Sequence, residues 1–291
     1  MKLDEIENSV LLKEIERRFS QRDNTIYELK VVMGKMESIN KQLLDAESNR
    51  SKFISIIRNE FNNPLSSMIN LSKMLLSGKE KVDIKLIGNS LYQDVLNLNF
   101  QISNIISVAE IEAGTLEKEI SKINFEEIIE EIKDALQYLI KDKNINLNIN
   151  ISCNEDPIYQ DRSKIYSILV NLISNAINFS PNNSVVEIVI IEEVDDVRVT
   201  VKDRGEGIST DNQKIVFERF RQAHSGMNRT QMGQGLGMGV VSDFIEFLNG
   251  KFKLESKEGE FTIFEFNLPK ESKDESMFMD DDLLFDEGQE F

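Results

Sequence analysis

The sequence predicts a multidomain α+β chain. It reads as an N-terminal coiled coil over 1–50, a helical hairpin over 51–120 that forms a four-helix bundle on dimerisation, an α/β sandwich over 121–270 and an acidic tail over 271–291. Three observations predict it. Apolar residues recur in alternating steps of three and four from Leu12 to Phe61. A second helical apolar face follows a glycine-bearing break. Beyond Gly114, short helical patterns interleave with segments of two-residue alternation, the pattern of a layer of helices on a sheet.

Residues 1 to about 62 contain no proline and read as helix. The steps run through Leu12, Ile15, Phe19, Arg22, Ile26, Leu29, Met33, Met36, Asn40, Leu43, Glu47, Arg50, Ile54, Ile57 and Phe61, and eleven of these fifteen positions are apolar. The flanking positions are heavily charged. That favours a coiled coil over a single helix lying on a domain, with Arg22, Asn40, Glu47 and Arg50 tuning the seam. Pro64 is expected to interrupt or bend this helix, since it removes one backbone donor and crowds the preceding turn. The turn LLSGKEKVD, with Gly78, then leads to a second arm from about Ile84 to Glu119. Its apolar face holds Leu86, Ile87, Leu91, Val95, Leu98, Ile102, Ile105, Ile106 and Val108. Two arms are half a four-helix bundle, so a second copy or a partner is expected to complete the core.

After Gly114 the periodicity changes. A helix is expected from Phe125 to Lys141, then a strand in which Ile145, Leu147, Ile149 and Ile151 alternate. A second helix covers Arg162 to Phe179. The strands VVEIVIIEEV and DVRVTVKD follow, joined at Asp195. A glycine-rich region spans Asp203 to Gly239, a helix runs on to Leu248, and the strands GKFKLES and EFTIFEFNLP finish the sandwich.

Composition excludes several classes of function. With 34 basic and 51 acidic residues the net charge is −17, which argues against nucleic-acid binding through a broad basic face. No apolar run approaches the ~18 residues a membrane span needs. The start MKLDEIENSV lacks the apolar stretch of a signal peptide. Cys153 is the single cysteine and His224 the single histidine, which excludes an internal disulfide, a cysteine-based zinc site and a histidine cluster. The expectation is a cytoplasmic, acidic protein. Its tail, ESKDESMFMDDDLLFDEGQEF, mixes nine acids with large apolar residues. It reads either as a disordered solubilising segment or as a peptide that docks an unknown protein.

Three segments of the sandwich carry chemistry. In NLISNAINFS, Asn171 and Asn175 stand one helical turn apart on one face. Amide oxygens there can complete the oxygen shell of a Mg²⁺ held by phosphates. In DRGEGI, Asp203 can accept a hydrogen bond from an amine while Gly205 and Gly207 permit a tight turn. In GQGLGMG, Gly233, Gly235 and Gly237 open a helix whose first N–H groups can approach phosphate oxygens.

The order of these segments, with FERF (Phe217 and Phe220) and IEAG at 111–114, resembles the bacterial sensor histidine kinases over about residues 51–270. The resemblance implies an ATP-binding domain of the GHKL type at 121–270. In it Asp203 holds the adenine amine, Asn175 ligates Mg²⁺, and the glycines frame a lid over the phosphates between Ser209 and Met232. Family members usually carry lysine where Asn178 stands; losing a charged hydrogen bond costs about 1.5–3 kcal/mol, which impairs a site without abolishing it. His224, in the presumed lid, reads as an exposed loop residue.

The resemblance also sets a problem. The family's phosphoacceptor segment runs histidine–glutamate–x–x–x–proline–leucine, and the matching stretch at 53–68 has Asn59, Glu60, Pro64 and Leu65. An asparagine amide nitrogen has its lone pair delocalised into the carbonyl and is a very poor nucleophile. Self-phosphorylation at the usual position is therefore not expected. The heptad register places Asn59 at an outer position, with Asn63 on the same face and Glu60 beside them. In the family, an acid followed three residues later by threonine or asparagine is associated with removing phosphate from the partner response regulator, a pattern met here by Glu60 and Asn63. The usual arginine is replaced by Asn62.

Three readings follow, in order of preference. The first is a two-component signalling protein that binds Mg-ATP without its own acceptor. It would pair with itself or with a histidine-bearing kinase, acting as a pseudokinase or phosphorylating that partner in trans. The second is a response-regulator phosphatase that uses Glu60 and Asn63. The third is a non-enzymatic scaffold that acts through its coiled coil and acidic tail.

Overall fold

The computed structural model describes residues 3–77, 83–153, 157–217 and 236–271. Two compact units are present, Met1–Ser55 and Ile56–Phe291. The first is helical throughout its described part and belongs to α1 (Leu3–Leu76). The seam side chains Ile15, Phe19, Ile26, Leu29, Met33, Met36 and Leu43 are exposed on it. At the polar seam position Arg22, the guanidinium lies 4.6 Å from the centre of the Phe19 ring, so the arginine covers apolar surface as well as bringing charge.

In the second unit α1 continues through Pro64, which is buried, and ends only at Leu76. The sequence expectation of an interruption is not met. A proline deletes one ladder bond, and turns intact on both sides can carry the helix across it. Helix α2 (Ile84–Ala113) starts where the Asp83 carboxylate accepts the N–H groups of Lys85 and Leu86, at 3.0 and 3.1 Å. It stops at Ala113 rather than Glu119 because Gly114 takes the left-handed conformation, φ 65°, and Thr115 N–H closes back on the Glu110 carbonyl.

A five-stranded mixed sheet forms one layer of the sandwich. Its strands are β2 (Asn146–Ser152), β4 (Val185–Glu192), β5 (Asp196–Asp203), β6 (Lys251–Lys257) and β7 (Phe261–Pro269), in the order β2-β4-β5-β7-β6. β2 runs parallel to β4 and every other pair is antiparallel. Alternation in β4 and β5 buries Val186, Ile188, Ile190, Val197, Val199 and Val201 on one face. The helical layer holds α3 (Phe125–Ala135), α5 (Arg162–Phe179) and α7 (Gly237–Phe247), whose Ile128, Ile132, Ile168, Ile173, Val240, Phe244 and Ile245 are buried as well. This is the expected α+β class.

Two details differ from the sequence reading. The helix expected over Phe125–Lys141 is split: Leu136, φ −97° and ψ 6°, separates α3 from α4 (Gln137–Lys143), and the Leu136 side chain is buried at the break. Two four-residue strands, β1 (Ile120–Ile123) and β3 (Ile158–Asp161), form a separate antiparallel pair. Strands this short hold too few residues to show alternation.

Where β3 meets α5, Asp161 is fully buried. Its carboxylate accepts the Lys164 N–H at 3.1 Å, the Ser163 hydroxyl at 2.7 Å and the Glu119 N–H at 3.0 Å. One side chain thus caps α5 and ties in the strand leading from α2. Replacing Asp161 by Ala is expected to remove the cap and orphan the Glu119 donor, lowering stability by about 2–4 kcal/mol in urea unfolding followed by circular dichroism. A loss below ~1 kcal/mol would show that the cap is dispensable.

Candidate functional site

The site gathers at the C-terminal ends of α5 and β5. Asp203, the last residue of β5, is 6% exposed, and its Oδ1 accepts the Gly205 N–H at 2.8 Å. Burial pushes the carboxyl up to about 6, against a smaller lowering by the Gly205 hydrogen bond. A carboxylate can accept about four hydrogen bonds, so this one keeps capacity for an incoming amine.

The turn after Asp203 is held closely. A side chain at Gly205 would strike the Phe179 carbonyl and Asp203 Oδ1. Gly207 has φ 62°, and a Cβ there would collide with the Lys257 carbonyl. Ser256 Oγ accepts the Ile208 N–H at 2.8 Å and donates to the Phe261 carbonyl at 2.7 Å. The Gln213 amide spans the carbonyls of Ile208 and Ser256, at 2.7 and 2.8 Å. The end of β6 therefore braces the Asp203 turn. Gln213 lies in the short helix α6 (Thr210–Gln213), within the stretch read as lid. Phe217 packs its ring 4.7 Å from Phe252 and 5.7 Å from Phe264, on β6 and β7.

On α5, Asn175 and Asn178 are partly exposed near the helix end, and Asn178 Nδ2 donates to Ser174 Oγ at 3.4 Å. Asn171, one turn earlier, is 2% exposed. Its amide pairs reciprocally with Asn104 of α2, Asn104 Nδ2 to Asn171 Oδ1 at 3.1 Å and Asn171 Nδ2 to Asn104 Oδ1 at 3.0 Å. Gly237, the first residue of α7, presses on the same oxygen: a Cβ there would overlap Asn171 Oδ1. α7 starts without a side-chain cap from Leu236, which leaves its first N–H groups to be met by other acceptors.

Two residues of this region were not singled out from the sequence. Lys143, at the end of α4, donates to the carbonyls of Ile177, Asn178 and Ser180, and burial lowers its ammonium pKa. It caps α5 from another element. Asn104 had one visible signal, a polar residue one helical turn before Val108 of the apolar face. Phe220, Gly233, Gly235, His224 and the tail from 272 lie outside the described residues, as does most of the presumed lid. Asn59 and Asn63 are exposed on α1. Among the described residues there is no cluster of acidic, histidine or cysteine ligands for a metal, and no helix long and apolar enough to cross a membrane.

Residues 160–272 match the family described as histidine kinase-, DNA gyrase B- and HSP90-like ATPase. The sensor protein KdpD of Clostridium acetobutylicum is 29% identical over 247 residues, which cover 82% of this chain and 27% of that protein. Over residues 160–272 the chain carries a domain of that ATPase family. Two solved structures share the fold. The histidine kinase AdeS of Acinetobacter baumannii superposes with a TM-score of 0.54 at 21% identity, over 73% of this chain and 98% of that one. Full-length ShkA in complex with AMPPNP also gives 0.54, at 20% identity, over 75% of this chain and 45% of that one. The chain spans 16–44% of the length of the first curated relatives that it matches.

The raised Asp203 pKa has a measurable consequence for this ATPase-type domain. Against an unperturbed carboxyl at 3.8, a folded value of about 6 means the native state holds its proton more tightly. The stability contribution is then fully present below pH 3.8 and lost as pH rises through about 6, by roughly 2–3 kcal/mol. Asp203→Asn removes this dependence. The stability difference between variant and parent, from urea unfolding in the absence of nucleotide, should grow in the variant's favour from pH 4 to pH 7. A difference flat with pH would show that the folded carboxyl titrates normally.

Proposed function

We propose that this chain is a histidine-kinase-like two-component signalling protein that binds Mg-ATP at the Asp203 turn but has no phosphoacceptor of its own at the usual helical position. The observation that carries the reading is the buried, braced Asp203 carboxylate with spare acceptor capacity, together with the start of α7, which has no side-chain cap. The shared fold with ShkA, which was solved with AMPPNP, supports it.

The residues present fit the nucleotide. Asp203 would accept the adenine amine, and the fixed Gly205–Ile208 backbone would hold the base plane. Asn175 would contribute an amide oxygen to Mg²⁺, and the first N–H groups of α7 would meet phosphate oxygens. Bound Mg-ATP would supply a γ-phosphoryl group. Asn59 cannot take that group, because its nitrogen lone pair is not available. Transfer would instead go to a histidine on a partner kinase paired through α1 and α2, or the bound nucleotide would regulate such a partner without transfer. The exposed seam of α1 suits a homodimer or heterodimer of this kind.

Calorimetry should detect micromolar to low-millimolar Mg-ATP binding that Asp203→Asn weakens about tenfold or more, since a buried amine–carboxylate bond is lost. Affinity should also decline as pH falls through about 6, where Asp203 takes up its proton. Absence of binding at millimolar nucleotide would remove the reading.

A second activity at the same signalling level is favoured by the exposure of Asn59 and Asn63 on α1. An amide at position 63 can orient a water in line with the aspartyl phosphate of a response regulator without any histidine. With a cognate phosphorylated regulator, Asn63→Ala should slow phosphate release by tenfold or more, on the order of a general acid–base contribution. An unchanged rate would exclude a role for this amide.

A further inference from the structure

Asn104 and Asn171 are separated by 67 residues and are the only buried asparagines among the described residues. Their pairing is complete on the Asn171 side. Oδ1 accepts from Asn104, and Nδ2 serves both Asn104 Oδ1 and the Ser167 carbonyl, the latter at 2.8 Å. Two reciprocal amide bonds define one register, because sliding either helix breaks both. Val108, one turn further along α2, is fully buried and gives the docking an apolar anchor.

The position of Asn171 makes the pair more than a packing detail. Asn175, the residue placed for Mg²⁺, is one turn along the same face of α5. The oxygen that Asn104 engages is also the atom against which Gly237 lies, and Gly237 begins the helix whose N–H groups would meet phosphates. A ligand drawing in the first turn of α7, or the amide oxygen of Asn171, must act on the atom that holds α2. Both amides are equally well satisfied by water once separated, so the contact is specific in register and releasable.

We propose, on the nucleotide-binding reading above, that Asn104 couples the α2 arm to nucleotide occupancy: Asn171 is shared between the arm and the phosphate end of the site, and Mg-ATP competes with Asn104 for it. Linkage then requires reciprocity. Removing Asn104 tightens Mg-ATP, and Mg-ATP loosens α2 from α5 by the same factor. Adenosine reaches the Asp203 turn but has no phosphates, so it stands outside the competition.

The test is calorimetric titration of the full chain and of Asn104→Ala with Mg-ATP and with adenosine, together with hydrogen exchange of residues 102–108 with and without Mg-ATP. Expected are Mg-ATP affinity about three- to thirtyfold tighter in the variant, adenosine affinity unchanged, and faster exchange in α2 of the parent when Mg-ATP is bound. Mg-ATP affinity that is equal or weaker in the variant would overturn the coupling and leave nucleotide binding intact. Equal tightening of adenosine would also overturn it, because it would reveal general loosening of the domain. If the parent bound no Mg-ATP, both the coupling and the proposed function would fall. Should Asn104→Ala not unfold cooperatively, Asn104→Ser, which keeps one hydrogen-bonding group, gives the same comparison.

Discussion

A helix whose length is mostly buried gains when its end groups are satisfied by protein, and this requirement on α5 organises the domain. Ten of its residues are buried. The N-terminal donors are met by Asp161, which also collects the Glu119 backbone, and the C-terminal carbonyls by the Lys143 ammonium. Lys143 thereby sets where α5 stops. Phe179 follows at that point, and its carbonyl accepts the Glu206 N–H at 3.4 Å and leaves no room for a side chain at Gly205. The position of the Asp203 turn is thus inherited, contact by contact, from the way one helix ends.

The same logic explains what could be read in the sequence. The bounds of α5 and the β4–β5 hairpin were legible because an acidic cap, a long apolar face and strict alternation agree with one another. The Asp203 and Gly207 positions were legible because few other residues permit a buried acceptor beside a left-handed turn. Lys143 and Asn104 were not, since each acts on an element far away in the chain and nothing local marks a lysine as a cap or an asparagine as half of a pair. Pro64 misled for the opposite reason: a strong local signal was overridden by the helix on both sides. The strands β1 and β3 depend on each other and on buried Gln160, whose amide donates to the Pro269 carbonyl, rather than on a pattern of their own.

The proposed chemistry rests on two side chains, a buried and braced carboxylate at Asp203 and a non-nucleophilic amide at Asn59. Burial keeps Asp203 costly to ionise even with the Gly205 N–H donating to it, so an amine arriving there would offset part of that desolvation cost. Asn59 sits in water on α1, where its amide can bond but not attack. The two features do not conflict if the group transferred, or the group removed, belongs to another chain.

The parallel pairing of β2 with β4 carries a kinetic meaning. Asn146 stands opposite Val185, and the intervening chain contains β3 and the whole of α5. Closing that loop costs entropy before any ladder bond repays it, which makes this pairing slower to form than the β4–β5 hairpin. During synthesis the edge strand emerges well ahead of its partner and must wait, with Leu147, Ile149 and Ile151 unpaired, until β4 has left the ribosome.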